Sequence, residues 1–382
     1  MSMDFSWSED MQAQYDSTVK FCRTLNDGLD ERLAAARFPR EQWRACGEFG
    51  LLGLCVPEAY GGMGLSCVDT ARMIEAFGYG CQDMGLVFSA SAHQFACVAP
   101  IVETGSEALK DELLADLAAG TRVAANAMTE AEAGSDSSAL KTTATLEGDH
   151  YRLNGIKSYA SNGPVSDLLL VYANVNPAWG YMGITAFAVD RESPGLRVGE
   201  PFHKMGLETS PIASVYFEDC MVPVSRRVGE EGDGAKIFAN SMHWERGCLF
   251  AAYLGLMQRN LEQAIEYAKE RRQFRRPIGS FQAVSHKIVN MRMRLDSARL
   301  LLYRACWLRD HGDTATAEIA MSKVAVSEAA VQSGLDLIQI FGGIGYTREA
   351  QVERSLRDSV AATLFSGTSE IQRNLIAKEL GL

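Results

Sequence analysis

The sequence predicts an α+β protein: a helical stretch, a mostly antiparallel β stretch, then a second helical stretch. Three observations carry this. Apolar residues recur at spacings of three and four up to about residue 121, and again from about 231. Between 122 and 230 they alternate, or cluster in short β-branched and aromatic runs between turn residues. From Gly234 the chain then runs without proline as far as Pro277, in longer helical pieces. The expected organisation is an N-terminal helical domain (1–121), a middle antiparallel β domain (122–230) and a C-terminal helical bundle (231–382).

Each element follows from local pattern. In "PREQWRACGEFGLLGL", Trp43, Cys46, Phe49 and Leu51 fall near one helix face. "CVDTARMIEAFGYG" and "SEALKDELLADLAAG" repeat the period, and each ends on glycine, which tolerates left-handed backbone at a helix end. "PEAYGGMGLS" reads as a glycine-rich loop. "KTTATLEGDHYRLNG" alternates around Glu147–Gly148–Asp149, the mark of a hairpin. "DLLLVYANV", "GITAFAVD" and "ASVYFEDCMVP" are further strands. "GAKIFANSMHWERGCLFAAYLGLMQ" opens a long helix that starts near Gly234, and two more long amphipathic pieces follow after Pro277. Three or four long helices with short connections between them imply an antiparallel bundle.

Composition excludes several functions. The net charge is −11, from 37 basic and 48 acidic residues, which argues against sequence-independent nucleic-acid binding. No apolar run approaches the length expected of a membrane span, and the acidic "MSMDFSWSEDMQ" lacks a basic-then-apolar secretion signal, so a cytoplasmic, membrane-free protein is expected. The nine cysteines form no CxxC pair and sit among apolar neighbours, as reduced core residues do. No HExxH, GxGxxG after a strand, or GxxxxGK[ST] occurs, so no metal, Rossmann or P-loop site is expected.

Three segments suggest chemistry. "AMTEAEAGSDSSAL" (127–140) leaves a strand for a loop rich in Thr129, Ser135, Asp136, Ser137 and Ser138. Such a loop offers N–H and hydroxyl donors to an electron-rich ring or a phosphate; a solvated loop is the bland alternative. "KSYASNG" puts Tyr159 and Ser161 on one strand face, able to flank a planar cofactor, although core packing is commoner. In "NSMHWERGCLFAAYLGLMQ", Met242, Glu245, Leu249, Ala252 and Leu256 share one helical face. A carboxylate there is either a helix-start residue or a group kept from water for chemistry. A start near Gly234 favours the second.

In this order, these pieces resemble the acyl-CoA dehydrogenase family of flavoproteins over essentially the whole chain. "AMTEAEAGSDSSAL" is similar to the family's first signature, and "QIFGGIGYTRE" with "RDSVAATLFSGTSEIQRNLIAKEL" to its second signature and last helix. The resemblance implies the three-part fold described above, its C-terminal part a four-helix bundle, with non-covalent FAD and a homotetramer. It implies that Met128 and Thr129 face the pyrimidine side of the flavin, and that Ser135 contacts flavin phosphate or substrate. Tyr159 then replaces a tryptophan beside the ring, and Ser161 a threonine near N5. Arg271, Phe274 and Gln282 match positions reaching the adenosine–diphosphate half across a subunit boundary. Gln339 and Gly343 match the neighbouring chain's contribution, and Thr368 a contact near the ADP part.

Two departures stand out. Arg275 replaces a glycine in the usual "QFG", leaving the backbone there open to question. Many relatives also carry the catalytic glutamate immediately before the Gly-Thr of "FSGTSE", where this chain has Ser366, which lacks the basicity for a carbon-bound proton. A subset of the family places its base on the long helix instead, and Glu245 falls on that position. An apolar setting would raise such a carboxylate from ~4.3 towards ~6–7, suited to a base at neutral pH. Arg246 and Ser366 are then expected to line the substrate site.

The expected activity is FAD-dependent α,β-dehydrogenation of an acyl or aminoacyl thioester. "GLVFSASAHQFACVAPIVE" and "SMHWERGCLFAAYLGLM" most resemble the branch acting on carrier-protein-bound substrates in natural-product pathways, such as prolyl thioesters. A CoA thioester is the alternative, as are an oxidase of the same fold and, remotely, a non-catalytic flavin-binding scaffold. The electron acceptor is not legible. "ERRQFRRP" concentrates Arg271, Arg272, Arg275 and Arg276, either as a docking patch for an acidic carrier or for cofactor and subunit packing.

Overall fold

The computed structural model describes residues 6–382. Helices lie at Glu9–Thr24 (α1), Leu29–Ala34 (α2), Arg40–Phe49 (α3), Cys67–Gly80 (α4), Met84–Ala92 (α5), Ala99–Thr104 (α6), Glu107–Ala118 (α7), Gly234–Trp244 (α8), Ala251–Glu270 (α9), Gln282–Asp310 (α10), Thr316–Phe341 (α11), Val352–Val360 (α12) and Ser369–Glu379 (α13). Strands lie at Ala124–Ala127 (β1), Thr143–Glu147 (β2), His150–Ser161 (β3), Leu168–Asn174 (β4), Ile184–Asp190 (β5), Leu196–Val198 (β6), Ile212–Pro223 (β7), Arg227–Val228 (β8), Arg272–Gln273 (β9) and Arg276–Pro277 (β10). Two wide π turns interrupt the helices, at His93–Val98 and Glu245–Leu249.

The chain packs as two compact units. One comprises the stretch ending at Leu29, Ser66–Val87 and Phe250–Leu382. In it α4 crosses α9 closely, because both helices present glycine. A Cβ on Gly78 would lie 2.1 Å from the Ala252 carbonyl oxygen, and one on Gly255 would lie 2.3 Å from that of Glu75. α10 packs on α11, which also contacts α9, α12 and α13. Arg299 ties α10 to α4 through Glu75 Oε1 at 2.9 Å. Serine N-caps mark the starts of α1 and α4.

The other unit comprises Asp30–Leu65 and Phe88–Leu249. Its eight-stranded sheet runs β6-β7-β3-β2-β4-β5-β8, with β1 added parallel to β4. The β2–β3 hairpin turns at Gly148, which takes the left-handed backbone (φ 63°) the turn requires. β4 is buried along its whole length, with apolar clusters on both faces. His93, at the start of the π turn that follows α5, ties α7 to β1 with both ring nitrogens: Nε2 lies 3.0 Å from Leu117 O, and Nδ1 accepts from Ala124 N at 2.9 Å. Those bonds make it the neutral Nε2–H tautomer.

Several expectations change. Met84–Thr104 is a 21-residue helical stretch long and apolar enough to cross a bilayer, yet 89% of its most apolar window is buried inside the protein. It is a core segment whose length the polar His93 and Gln94 conceal in the sequence. Phe49, expected on the buried face of α3, is 36% exposed, while Trp43, Cys46 and Leu51 are buried. Gly50 ends the helix with φ 92°, so the face does not extend smoothly from Phe49 to Leu51. The long helix from Gly234 is broken by a π turn that starts at Glu245. The nine cysteines are all buried and unbridged.

Candidate active site

Glu245 begins the π turn and is only 7% exposed. Met242, Leu249, Ala252 and Leu256 are buried too, but so are Cys248, Phe250 and Tyr253, so the segment is apolar on all sides rather than along one stripe. Within its unit, this turn packs against the π turn His93–Val98. Such turns add a residue to the helical circuit and recur at functional sites. Trp244 fixes the approach: its ring stacks on Phe95 with centroids 6.3 Å apart, and its indole N–H donates to Glu103 Oε1 at 2.6 Å.

The Glu245 carboxylate acts on its surroundings. Burial, reinforced by that negative charge, pushes the Cys97 thiol well up. Burial likewise raises Tyr172, with contributions from Cys97 and Glu245. Burial lowers Arg246 to about 10, and attraction to Glu245 opposes the drop. Near neutrality the thiol and phenol therefore stay protonated and the guanidinium stays charged, which leaves the carboxylate as the basic group of this cluster.

The same unit builds a second constellation where β1 leaves the sheet. Lys157 on β3 is fully buried; its ammonium donates to Met128 O at 3.1 Å and to Glu130 Oε1 at 2.8 Å. Glu130 also accepts from Lys141 N (2.7 Å), Thr142 N (3.0 Å) and Thr142 Oγ1 (2.6 Å). The Ser158 N–H donates to Thr129 O at 2.7 Å. Burial lowers Lys157 to about 8 against the pull of Glu130, and Lys157 and the other donors hold Glu130 below its ordinary value despite burial. Met128 is buried and Thr129 half-buried; the Thr129 N–H and hydroxyl donate to no partner among the described residues.

Beyond Lys157 the β3–β7 register shifts, and Tyr159 adopts φ 56°. Its ring is 62% exposed beside Phe202, 5.5 Å away, so the core-packing alternative for Tyr159 does not hold. Ser161, half-buried, pairs with Ile212 at the end of the strand. Ser135 lies on the exposed loop.

The remaining candidates lie in the other unit. Arg271 closes α9, Phe274 is 87% exposed, and Gln282 opens α10. Phe274 (φ 50°) and Arg275 (φ 69°) form the two-residue loop between β9 and β10, so the arginine keeps the left-handed backbone a glycine would take. Arg272 donates to Arg275 O at 2.8 Å, and the Arg276 guanidinium lies 4.0 Å from the Phe281 ring centre. Gln339 is exposed on α11, and Gly343 lies in the turn after it. Ser366 is left-handed (φ 56°), and Gln372 donates to its carbonyl at 3.2 Å. Thr368 caps α13, accepting from Ile371 N.

Sequence reasoning passed over Glu130, Lys157, Cys97 and Tyr172. The available signal for Lys157 was a lysine at an inward position of a strand whose neighbours Tyr151, Leu153 and Ala160 are buried.

Comparison with known proteins adds the family. The acyl-CoA dehydrogenase N-terminal, middle and C-terminal domain models match residues 8–121, 125–220 and 232–381. An L-prolyl-[peptidyl-carrier protein] dehydrogenase of Pseudomonas fluorescens is 50% identical over 380 residues, covering 97% of this chain and all of its own. A solved structure of PigA with FAD and proline is 43% identical with a TM-score of 0.98, each chain covered completely. The prolyl acyl carrier protein oxidase AnaB is 41% identical with a TM-score of 0.97, over 99% of this chain and all of its own. The chain belongs to the acyl-CoA dehydrogenase family.

Proposed function

We propose that this chain is an FAD-dependent dehydrogenase of a prolyl thioester tethered to a carrier protein, with Glu245 as the base that removes the α-proton. One observation carries the base: a carboxylate 7% exposed at a π turn, in a chain with Ser366 where many relatives place their glutamate. A buried carboxylate among protonated neighbours can take a proton without competition from water. Arg246 supplies a fixed positive charge beside it.

The residues of this site fit FAD. Thr129 offers an N–H and a hydroxyl, and Tyr159 offers an exposed flat ring. When bound, FAD accepts the hydride equivalent from the β-carbon. Met128, Thr129, Ser135, Tyr159 and Ser161 hold and orient it; Arg271, Phe274 and Gln282 reach its adenosine–diphosphate half across a subunit boundary of a homotetramer, Gln339 and Gly343 are the neighbouring chain's contribution, and Thr368 is a contact near the ADP part. Ser135, Arg246 and Ser366 line the thioester's path.

The substrate rests on the prolyl-carrier relatives and the role belongs to natural-product assembly. The decisive experiment presents a prolyl group on a carrier protein and on CoA and follows flavin bleaching and product mass. Loss of four hydrogens from the carrier-bound form is the expected pyrrole outcome. Equal or faster turnover of the CoA thioester would overturn the carrier assignment. The name of AnaB supports a second reading, direct reoxidation by oxygen, which peroxide release during turnover would reveal.

A further inference from the structure

We propose that Lys157 is a positioning residue for the flavin: its buried ammonium holds the Met128 carbonyl, aims the Thr129 N–H at the electron-rich edge of the ring and raises the reduction potential of bound FAD. This rests on the reading above that Thr129 faces FAD.

The geometry begins with the peptide plane. In a trans peptide the C=O of residue 128 and the N–H of residue 129 point in opposite directions. Lys157 Nζ takes the Met128 oxygen at 3.1 Å, on the buried side, so the Thr129 N–H faces away from the clasp. The next plane is fixed as well, because the Ser158 N–H takes the Thr129 oxygen at 2.7 Å. With both flanking carbonyls bound, residue 129 keeps its own donors for a ligand.

The clasp is built closely. Glu130 accepts from Lys157 and from three groups of residues 141 and 142, so the buried pair has its hydrogen bonds. Gly155 lets Thr142 approach: a Cβ there would lie 2.4 Å from Thr142 Oγ1. The same stretch of β3 then turns Tyr159 outward.

A buried ion pair is weak evidence for a stability device, since apolar replacements of such pairs are often neutral or better. An ammonium against a carbonyl does something an apolar side chain cannot. It makes a charge-assisted bond in a poorly screened setting and polarises the peptide behind it. The polarised N–H then binds more strongly to a ring that has gained electron density. Glu130 balances the net charge, which confines the effect to that peptide.

The test uses the full-length FAD-loaded protein and Lys157→Met. In wild type, FAD should slow deuterium exchange in the peptide around Thr129; if it does not, the Thr129 reading fails and the proposal with it. With that protection present, the variant should retain FAD while its reduced-to-oxidised ratio at a fixed dye potential falls about tenfold, which is about 30 mV for a two-electron couple. An unchanged potential in the FAD-loaded variant overturns the proposal and leaves the Thr129 reading standing. If orphaning Glu130 prevents folding, Lys157→Met with Glu130→Gln removes both charges and carries the same expectation. Loss of FAD from both folded variants, or failure of both to fold, would make the clasp a binding or structural element and likewise overturn the tuning role.

Discussion

Glutamine at position 245 is nearly isosteric with glutamate, so Glu245→Gln should leave the π turn, the Trp244–Phe95 stack and FAD content intact. It removes basicity alone. The surroundings decide how much that costs. Cys97 and Tyr172 are driven towards their protonated forms, and Arg246, at about 10, is a cation near neutrality, so none of the three can take over the proton. A general base contributes about 10²–10⁴ in rate, or roughly 3–5 kcal/mol of barrier. With no substitute base in the cluster, the upper part of that range is expected. The assay is anaerobic stopped-flow bleaching of the flavin by prolyl carrier protein under single-turnover conditions. Cys97, Tyr172 and Arg246 each keep one protonation state near neutrality, so none of them contributes a pH dependence to the rate there. A loss smaller than about tenfold, with FAD bound and the melting temperature unchanged, would refute Glu245 as the base. Ser366→Ala should be mild by comparison.

Three further outcomes follow from the fold. Burial lowers His93 to about 4 from 6.5, so the unfolded chain binds the extra proton between those values. Its contribution to stability is complete above about pH 6.5, is lost as pH falls and levels off below about 4, at up to about 1.4 kcal/mol per pH unit; an acid titration of urea midpoints with no added slope there would contradict it. Gly155→Ala should cost about 2 kcal/mol or more by overpacking against Thr142, while Gly148→Ala, whose Cβ meets nothing within 4 Å, should cost only the left-handed backbone penalty of about 1. Equal melting temperatures for the two variants would defeat that argument. Arg275→Gly should stabilise the β9–β10 turn by a few tenths to about 1 kcal/mol, because glycine adopts φ 69° without strain; a lower denaturant midpoint would refute it.

Local pattern determined much of this protein. Period-two alternation around Gly148 specified the β2–β3 hairpin, and the long proline-free runs specified α9, α10 and α11. Glu245 stood out because a carboxylate amid apolar residues is expensive unless it is used. These features depend on residues within a few positions of one another. What tertiary structure decided depends on residues far apart or on backbone states the side chains do not announce. The Lys157–Glu130 clasp joins positions 27 apart through a strand bulge. The π turn at Glu245 lies in a proline-free segment whose apolar pattern runs on through it, packed on a second such turn about 150 positions earlier. Tyr159, Arg275 and Ser366 adopt left-handed backbone that their residue types disfavour. Their packing environment overrides the intrinsic preference, and only the folded chain supplies it.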